Sequence, residues 1–183
     1  MDLTWIIIGI VALVVIIFFY YYNRFSVLSN RIDGSLSQID VQLKRRADLI
    51  PNLVESVKGY VKHEKSVITE VTNARKALMG AKGIEGKVKA DGILESALGR
   101  LFAIAEAYPD LKANTTFIEL QKELSTTEDR VAYARQHYND SILEYNTLCT
   151  TLLGKFFAGI YGRVKKEYLK IAESEKKNVK VEF

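Results

Sequence analysis

Residues 3–22, LTWIIIGIVALVVIIFFYYY, contain no charged side chain. At ~1.5 Å per residue, a helical run of this length crosses the ~30 Å hydrocarbon core of a bilayer. Backbone polar groups inside lipid must be satisfied within the segment, which a single span achieves only as a helix. A transmembrane helix is therefore predicted. A cleaved signal peptide places basic residues before its apolar run and small residues after it, whereas Met1-Asp2 precede this run and Tyr20, Tyr21 and Tyr22 close it. A retained anchor is expected. Trp5 and the three tyrosines match the aromatics that sit at headgroup level, and are candidate membrane contacts.

All 26 Lys and Arg residues follow the span, beginning at Arg24. The tendency of basic flanks to stay inside predicts an outer N-terminus, a cytoplasmic body and a single-pass protein of the cell's inner (cytoplasmic) membrane. Without Asp2, the domain side carries 26 basic and 21 acidic residues, a net of +5 that suits anionic lipid but is too slight to indicate nucleic acid. Two prolines, 11 glycines and no low-complexity tract predict one folded unit beside the anchor. The single cysteine, Cys149, excludes an intrachain disulfide and a thiolate metal cluster, and reads as a small apolar helix residue.

After the span, Phe25, Leu28, Ile32, Leu36, Ile39 and Leu43 recur at three- and four-residue intervals, the mark of an amphipathic helix. A second register follows: Ile50, Val54, Val57, Val61, Ile68, Val71 and Leu78. Between them stand Lys44, Arg45, Arg46, Asp48, Pro51 and Asn52. Proline costs ~3 kcal/mol inside a helix and little in its first turn, and Asp48 suits a cap. The favoured reading ends one helix near residue 46 and starts another at residues 49–51, with the basic triad meeting the carbonyls of the first helix end. The alternative is one long helix kinked at Pro51, since the phase Leu36, Leu43, Ile50, Val57 runs through it.

Four glycines in GAKGIEGKVKADG, residues 80–92, predict a loop. It is no phosphate loop, because the glycine spacing is one residue too long and Lys87 is followed by Val88 instead of Ser or Thr. Leu94, Ala97, Leu101, Ile104 and Tyr108 predict a third helix ending before Pro109-Asp110. A fourth, from Phe117 through Leu120, Leu124, Thr127, Val131, Ala134, Tyr138, Ser141, Tyr145 and Leu148 to Leu152, keeps a strict four-three rhythm. Such regularity means lengthwise packing on neighbouring helices.

Short connections make helices antiparallel. The expected fold is all-α: a single N-terminal transmembrane helix (1–24), an antiparallel up-and-down four-helix bundle with long helices (25–153), then an aromatic-basic segment and charged tail (154–183). With a break at Pro51 the direction count returns Phe156, Phe157, Ile160, Tyr161, Arg163, Lys165 and Lys166 to the membrane, where rings enter the headgroups and cations meet anionic lipid. With a kink it sends them to the far end, as a partner patch; a plain hydrophobic end cap is the third reading.

Chemistry has little support. Carboxylate-bridged metal bundles need Glu-x-x-His pairs, zinc helices need His-Glu-x-x-His, and hydrolase elbows need Gly-x-Ser-x-Gly; none occurs. His63 and His137 read as solvated or hydrogen-bonded. Glu106, Glu128, Asp129 and Arg130 read as solvated charges or as buried pairs fixing helix register. No cofactor, no metal and no catalytic residue is predicted, and the chain is not expected to be an enzyme.

The stretches YNRF (22–25), IDVQLKRRADLIPNLVESVKGYVKHE (39–64), RLFAIAEAYPDLKAN (100–114) and DRVAYARQHYNDSILEYNT (129–147), behind an N-terminal span, resemble the LemA family of bacterial membrane proteins over nearly the whole chain. The resemblance implies a membrane-anchored four-helix bundle and no established catalysis. One branch of the family occurs in magnetosome membranes, implying a role in membrane organisation; nothing in this sequence points to iron. Family members often carry an apolar then basic segment after the last long helix, as at Phe156 to Lys166, but a function carried by an extended tail is not expected of this chain. The leading expectation is a non-enzymatic scaffold at the cytoplasmic face, touching membrane lipids and an unidentified membrane or cytoplasmic protein, with homo-oligomers compatible with the helical surfaces. The rival is a regulatory adaptor for a membrane protease or sensor, contacting its partner through Lys44, Arg45, Arg46, Asp48, Pro51, Asn52, Pro109 and Asp110.

Overall fold

The computed structural model describes residues 3–60 and 64–170. Val61, His63 and the charged tail, Val181-Glu182-Phe183 included, lie outside the described residues. Those described form six helices and no strand: α1 Leu3–Lys58, α2 Lys65–Gly80, α3 Gly83–Ala105, α4 Pro109–Lys112, α5 Thr115–Thr150 and α6 Leu152–Ile160. Two compact units emerge. Unit 1 runs to Ser37 and takes in Gln136–Tyr168, whereas unit 2 is built on Gln38–Arg135.

The apolar stretch opens α1, long and apolar enough to cross a membrane and with none of its side chains buried in the protein. In unit 1, partners on α5 fall in number as those on α1 rise. Phe25 meets Tyr145 edge to face, Arg31 pairs with Glu144, and Ser35 reaches Ser141 and His137, so the two helices are antiparallel. Phe25, Leu28, Ile32, Ile142, Tyr145, Cys149, Phe157 and Ala158 form one core.

In unit 2, Ala81 and Lys82 alone separate α2 from α3, and Glu70 pairs with Arg100, as antiparallel neighbours must. Asp40–Lys87 and Arg46–Asp91 run upward together, which makes α1 and α3 parallel. Tyr60 with Asn114 and Arg45 with Glu123 set α5 antiparallel to α1.

The expected break at residues 46–51 does not occur: α1 passes through Pro51. Proline brings no N–H, so the carbonyl of Ala47, four residues earlier, loses its helical donor. Ala47 is fully buried, and the Nε–H of Arg75 on α2 donates to that carbonyl at 2.7 Å. An unsatisfied buried carbonyl costs about 1–3 kcal/mol, which Arg75 averts. Asp48 is exposed on the helix side and caps nothing there.

Reversal comes later, after Lys58, where Gly59 and Tyr60 turn the chain. Residues 50–78, read as one register, therefore belong to two helices. Because the chain still reverses once in this stretch, an unbroken α1 does not send the aromatic-basic segment to the far end: Phe157 stacks on Tyr21 in unit 1, ring centroids 4.7 Å apart.

The predicted loop over residues 80–92 is also helix, from Gly83 onward. Gly86 and Gly92 each cost ~1 kcal/mol relative to alanine within a helix. Burial of Val88, Ala90, Leu94, Ala97 and Leu98 on the same helix outweighs that, at roughly 1.5–3 kcal/mol for each large apolar side chain. Gly83 itself has φ +67°, a left-handed turn that favours glycine.

Candidate membrane-facing site

Helix α5 ends at Thr150 in a sharp bend rather than running on to Leu152. A Cβ on Gly154 would stand 1.9 Å from the Leu148 carbonyl oxygen and 2.4 Å from Thr151 Oγ1, so only glycine admits this approach. Beyond the bend, α6 ends in a Schellman motif: the Arg163 N–H donates to Ala158 O at 2.8 Å, the Gly162 N–H to Gly159 O, and Gly162 takes φ +64°. This reversal lays the following segment back on α5. There the Asn146 side chain holds the Lys166 backbone at both ends, its Nδ2–H donating to Lys166 O and its Oδ1 accepting from Lys166 N, each at 2.8 Å. Lys166 Nζ stands 5.6 Å over the Tyr145 ring, a cation–π contact.

Helix α6 divides sharply between its faces. Phe157 and Ala158 enter the unit 1 core, and Tyr161 Oη donates to Phe18 O at 2.6 Å while its ring meets Phe18, Tyr22 and Phe25. Leu152, Leu153, Phe156 and Ile160 share the opposite face and are 89%, 51%, 64% and 52% exposed. Of the aromatics expected at a membrane, Trp5, Tyr20, Tyr22 and Phe156 are thus outward, Tyr21 and Tyr161 are half-buried and Phe157 faces inward. Lys165 is exposed, Arg163 and Lys166 half-buried. Leu152 and Leu153 carry the face most openly, yet Leu152 passed for the last step of the α5 seam, since nothing in the pattern marks the bend except Thr150-Thr151 and Gly154.

The candidate partner contacts scatter. Lys44, Arg45, Asp48, Pro51 and Asn52 are exposed along α1, Arg45 paired with Glu123, and Pro109 and Asp110 are exposed at α4. Arg46 points the other way. Only 2% exposed, it pairs with buried Asp91 at 3.0 Å and with Glu128 at 3.5 Å. Burial pushes the Asp91 carboxyl above its ordinary value, against the pull of Arg46 and Arg135. The signal was present in the sequence: Leu43, Arg46, Ile50 and Leu53 share one seam, as do Val88, Asp91, Leu94 and Leu98, so each charge interrupts an apolar stripe.

In unit 1 the corresponding interruption is built on hydroxyls. Ser35 Oγ stands 2.9 Å from His137 Nδ1 and 3.2 Å from Ser141 Oγ, which accounts for His137 as a hydrogen-bonded residue. Cys149 is buried and burial raises its thiol, as suits an inert core residue. Glu106 pairs with Lys112 at the surface. Among the described residues no three His, Cys, Asp or Glu side chains are grouped to hold a metal ion.

The family model described as "LemA family" matches residues 35–183. The chain belongs to the LemA family. Among relatives of this LemA-family chain, Magnetosome protein MamQ of Magnetospirillum gryphiswaldense is 29% identical over 172 residues, covering 80% of this chain and 63% of its own length. Magnetosome protein MamQ 2 of Paramagnetospirillum magneticum is 27% identical with the same coverage. Protein LemA of Metamycoplasma hominis is 27% identical over 119 residues, 64% of this chain and 54% of its own. The chain thus spans less than two thirds of the length of these relatives. Together with the apolar opening of α1, these likenesses make it a membrane-associated member of the family.

Proposed function

We propose that this chain is a non-enzymatic scaffold, anchored in the inner membrane by residues 1–24 with its N-terminus outside, and carrying a cytoplasmic antiparallel four-helix bundle over residues 25–153 that organises proteins or membrane at that face. The observation that carries this reading is α1 itself, one helix from the apolar stretch to Lys58. Beyond its apolar opening, α1 offers the seam on which other helices pack within each unit, as suits a scaffold tethered at a membrane. The helix pairings of unit 2 support the bundle, the placement of every Lys and Arg after the span supports the orientation, and relatives that are magnetosome proteins by name fit a role in organising membrane.

The adaptor reading keeps one specific support: Lys44, Asp48, Pro51 and Asn52 are exposed on one side of α1, open to a protein partner. In-cell cross-linking of the full chain, with the linked residues mapped by mass spectrometry, separates the two. Links chiefly between copies along the helices support the scaffold; recurrent links from residues 44–53 or 108–114 to one other protein overturn it in favour of the adaptor.

A further inference from the structure

We infer that α6 is a second, interfacial membrane foot, seated among acidic phospholipid headgroups and held in place by the Asn146 clamp on Lys166. The inference rests on the anchored reading above and adds to it a named surface and a lipid class.

Three observations converge on it. The outward face of α6, Leu152, Leu153, Phe156 and Ile160, is wholly apolar, while its inward face is fixed to Phe18 and Tyr21, the closing turns of the apolar span. A helix attached there lies at the level where an anchored α1 leaves the hydrocarbon, and a short amphipathic helix in that zone buries its apolar face at the headgroup boundary. Charge supplies the second observation. Residues 3–32 and 145–166 contain Arg24, Arg31, Lys155, Arg163, Lys165 and Lys166 and no Asp or Glu. Arg31 is engaged by Glu144 and Lys166 lies over the Tyr145 ring, whereas Lys155 and Lys165 are exposed. A cationic rim beside an apolar face is attracted to anionic lipid and gains little from a purely zwitterionic surface. Third, the foot is built to stay put. Gly154 permits the bend, the Schellman turn reverses the chain, Asn146 grips Lys166 twice, and Tyr161 bonds to Phe18 O. A plain end cap would bury the leucines that α6 leaves outside.

The test uses the full chain in nanodiscs, in a Cys149→Ser background, with a fluorophore placed in turn at Phe156→Cys, Ile160→Cys, Val11→Cys and Lys122→Cys. Quenching by nitroxide-labelled lipid reads insertion, in phosphatidylcholine alone and with phosphatidylglycerol added. The expected result is quenching at 156 and 160 that rises with the acidic lipid, quenching at 11 in both, and none at 122. Replacing Lys155 or Lys165 by Gln should lower the inserted-to-free ratio roughly fivefold per cation. Quenching at 11 without quenching at 156 and 160 overturns the foot and leaves the anchor standing; loss at 11 overturns the anchored reading itself. Insertion independent of phosphatidylglycerol overturns the acidic-lipid assignment. Added inorganic phosphate should leave quenching unchanged; if it expels the probes, free phosphate rather than a headgroup is the ligand. Asn146→Ala should loosen the foot while far-ultraviolet circular dichroism shows the helices retained, and unchanged quenching there removes the clamp from the proposal.

Discussion

Unit 1 and unit 2 each interrupt apolar helix seams with polar side chains, and they do so with different chemistry. Unit 1 uses the hydroxyls of Ser35 and Ser141 beside the His137 ring, and both hydroxyls also bond to carbonyls one turn back on their own helices. Unit 2 uses charge, with Arg46 and Asp91 both nearly sealed from solvent and Glu128 at the edge. Both devices fix register, since sliding either helix separates the partners. They differ in what is left when one partner is lost. A neutral hydroxyl leaves behind groups with other bonds, while a missing carboxylate leaves a buried guanidinium without its counter-charge.

The largest effect should therefore come from Asp91→Ala. Removing one member of a buried pair costs about 3–5 kcal/mol, and half-exposed Glu128 at 3.5 Å compensates little. Chemical unfolding of the full chain in detergent micelles, followed by circular dichroism, measures it; a loss below about 1 kcal/mol would mean that Arg46 finds water and the pair is not a sealed one. Titration sharpens the point. The Asp91 carboxyl lies above 3.8 because burial outweighs its cationic neighbours, so the folded protein binds that proton more tightly than the unfolded chain does. The contribution of Asp91 to stability consequently falls as pH rises from 3.8 through the folded value, and Asp91→Asn should flatten that slope.

Unit 1 breaks most readily through shape. Gly154→Ala thrusts a methyl against the Leu148 carbonyl, and overpacking of this kind costs about 1–3 kcal/mol. The bend should open and release Phe157 from the core. Faster tryptic cleavage at Lys155 and Arg163 reports that release, and cleavage at the parental rate would show that the bend relaxes without moving α6.

How much of this was legible in the sequence depended on whether one helix or two decided the outcome. The α5 seam could be read residue by residue because Phe117, Leu124, Val131 and Ala134 repeat within one element, and all four are buried. Pro51 could not. Its cost as a helix breaker is a property of α1, but the remedy is the Arg75 side chain on α2, and no local pattern announces a donor 28 residues along the chain aimed at Ala47. Glycines at 86 and 92 misled for the same reason, because the burial that outweighs their propensity comes from helices outside the window. The membrane face fell between these cases. Phe156 and Ile160 were visible as an apolar-basic segment, but which ring turns inward depends on a bend that only Gly154 betrays.

The Pro51 remedy offers a smaller test in unit 2. Arg75→Ala should cost about 1–3 kcal/mol by leaving the Ala47 carbonyl without a donor. In a Pro51→Ala background the restored N–H takes that carbonyl, so the same substitution should cost markedly less. Equal losses in both backgrounds would show that Arg75 acts through packing rather than through the orphaned carbonyl, since only the hydrogen bond depends on what occupies position 51.

The smallest effect, and the one that completes the contrast, belongs to the hydroxyl layer of unit 1. Ser35→Ala removes a hydroxyl within reach of Arg31 O, His137 Nδ1 and Ser141 Oγ, a net loss of about 0.5–1.5 kcal/mol. His137 is half-buried, so water can serve Nδ1 once the hydroxyl is gone. Adding Ser141→Ala should then cost less than it does alone, because its partner is already absent and two methyl groups fill an apolar seam beside Ile32 and Ile142. A double-mutant cycle reads this directly. Coupling below about 1 kcal/mol in unit 1, set against a several-fold larger coupling for Arg46 and Asp91 in unit 2, would establish that the two units hold register by unequal means. Comparable couplings would instead make the hydroxyl layer as sealed as the ion pair, and would place the strict register of α1 against α5 in unit 1, where α6 is attached.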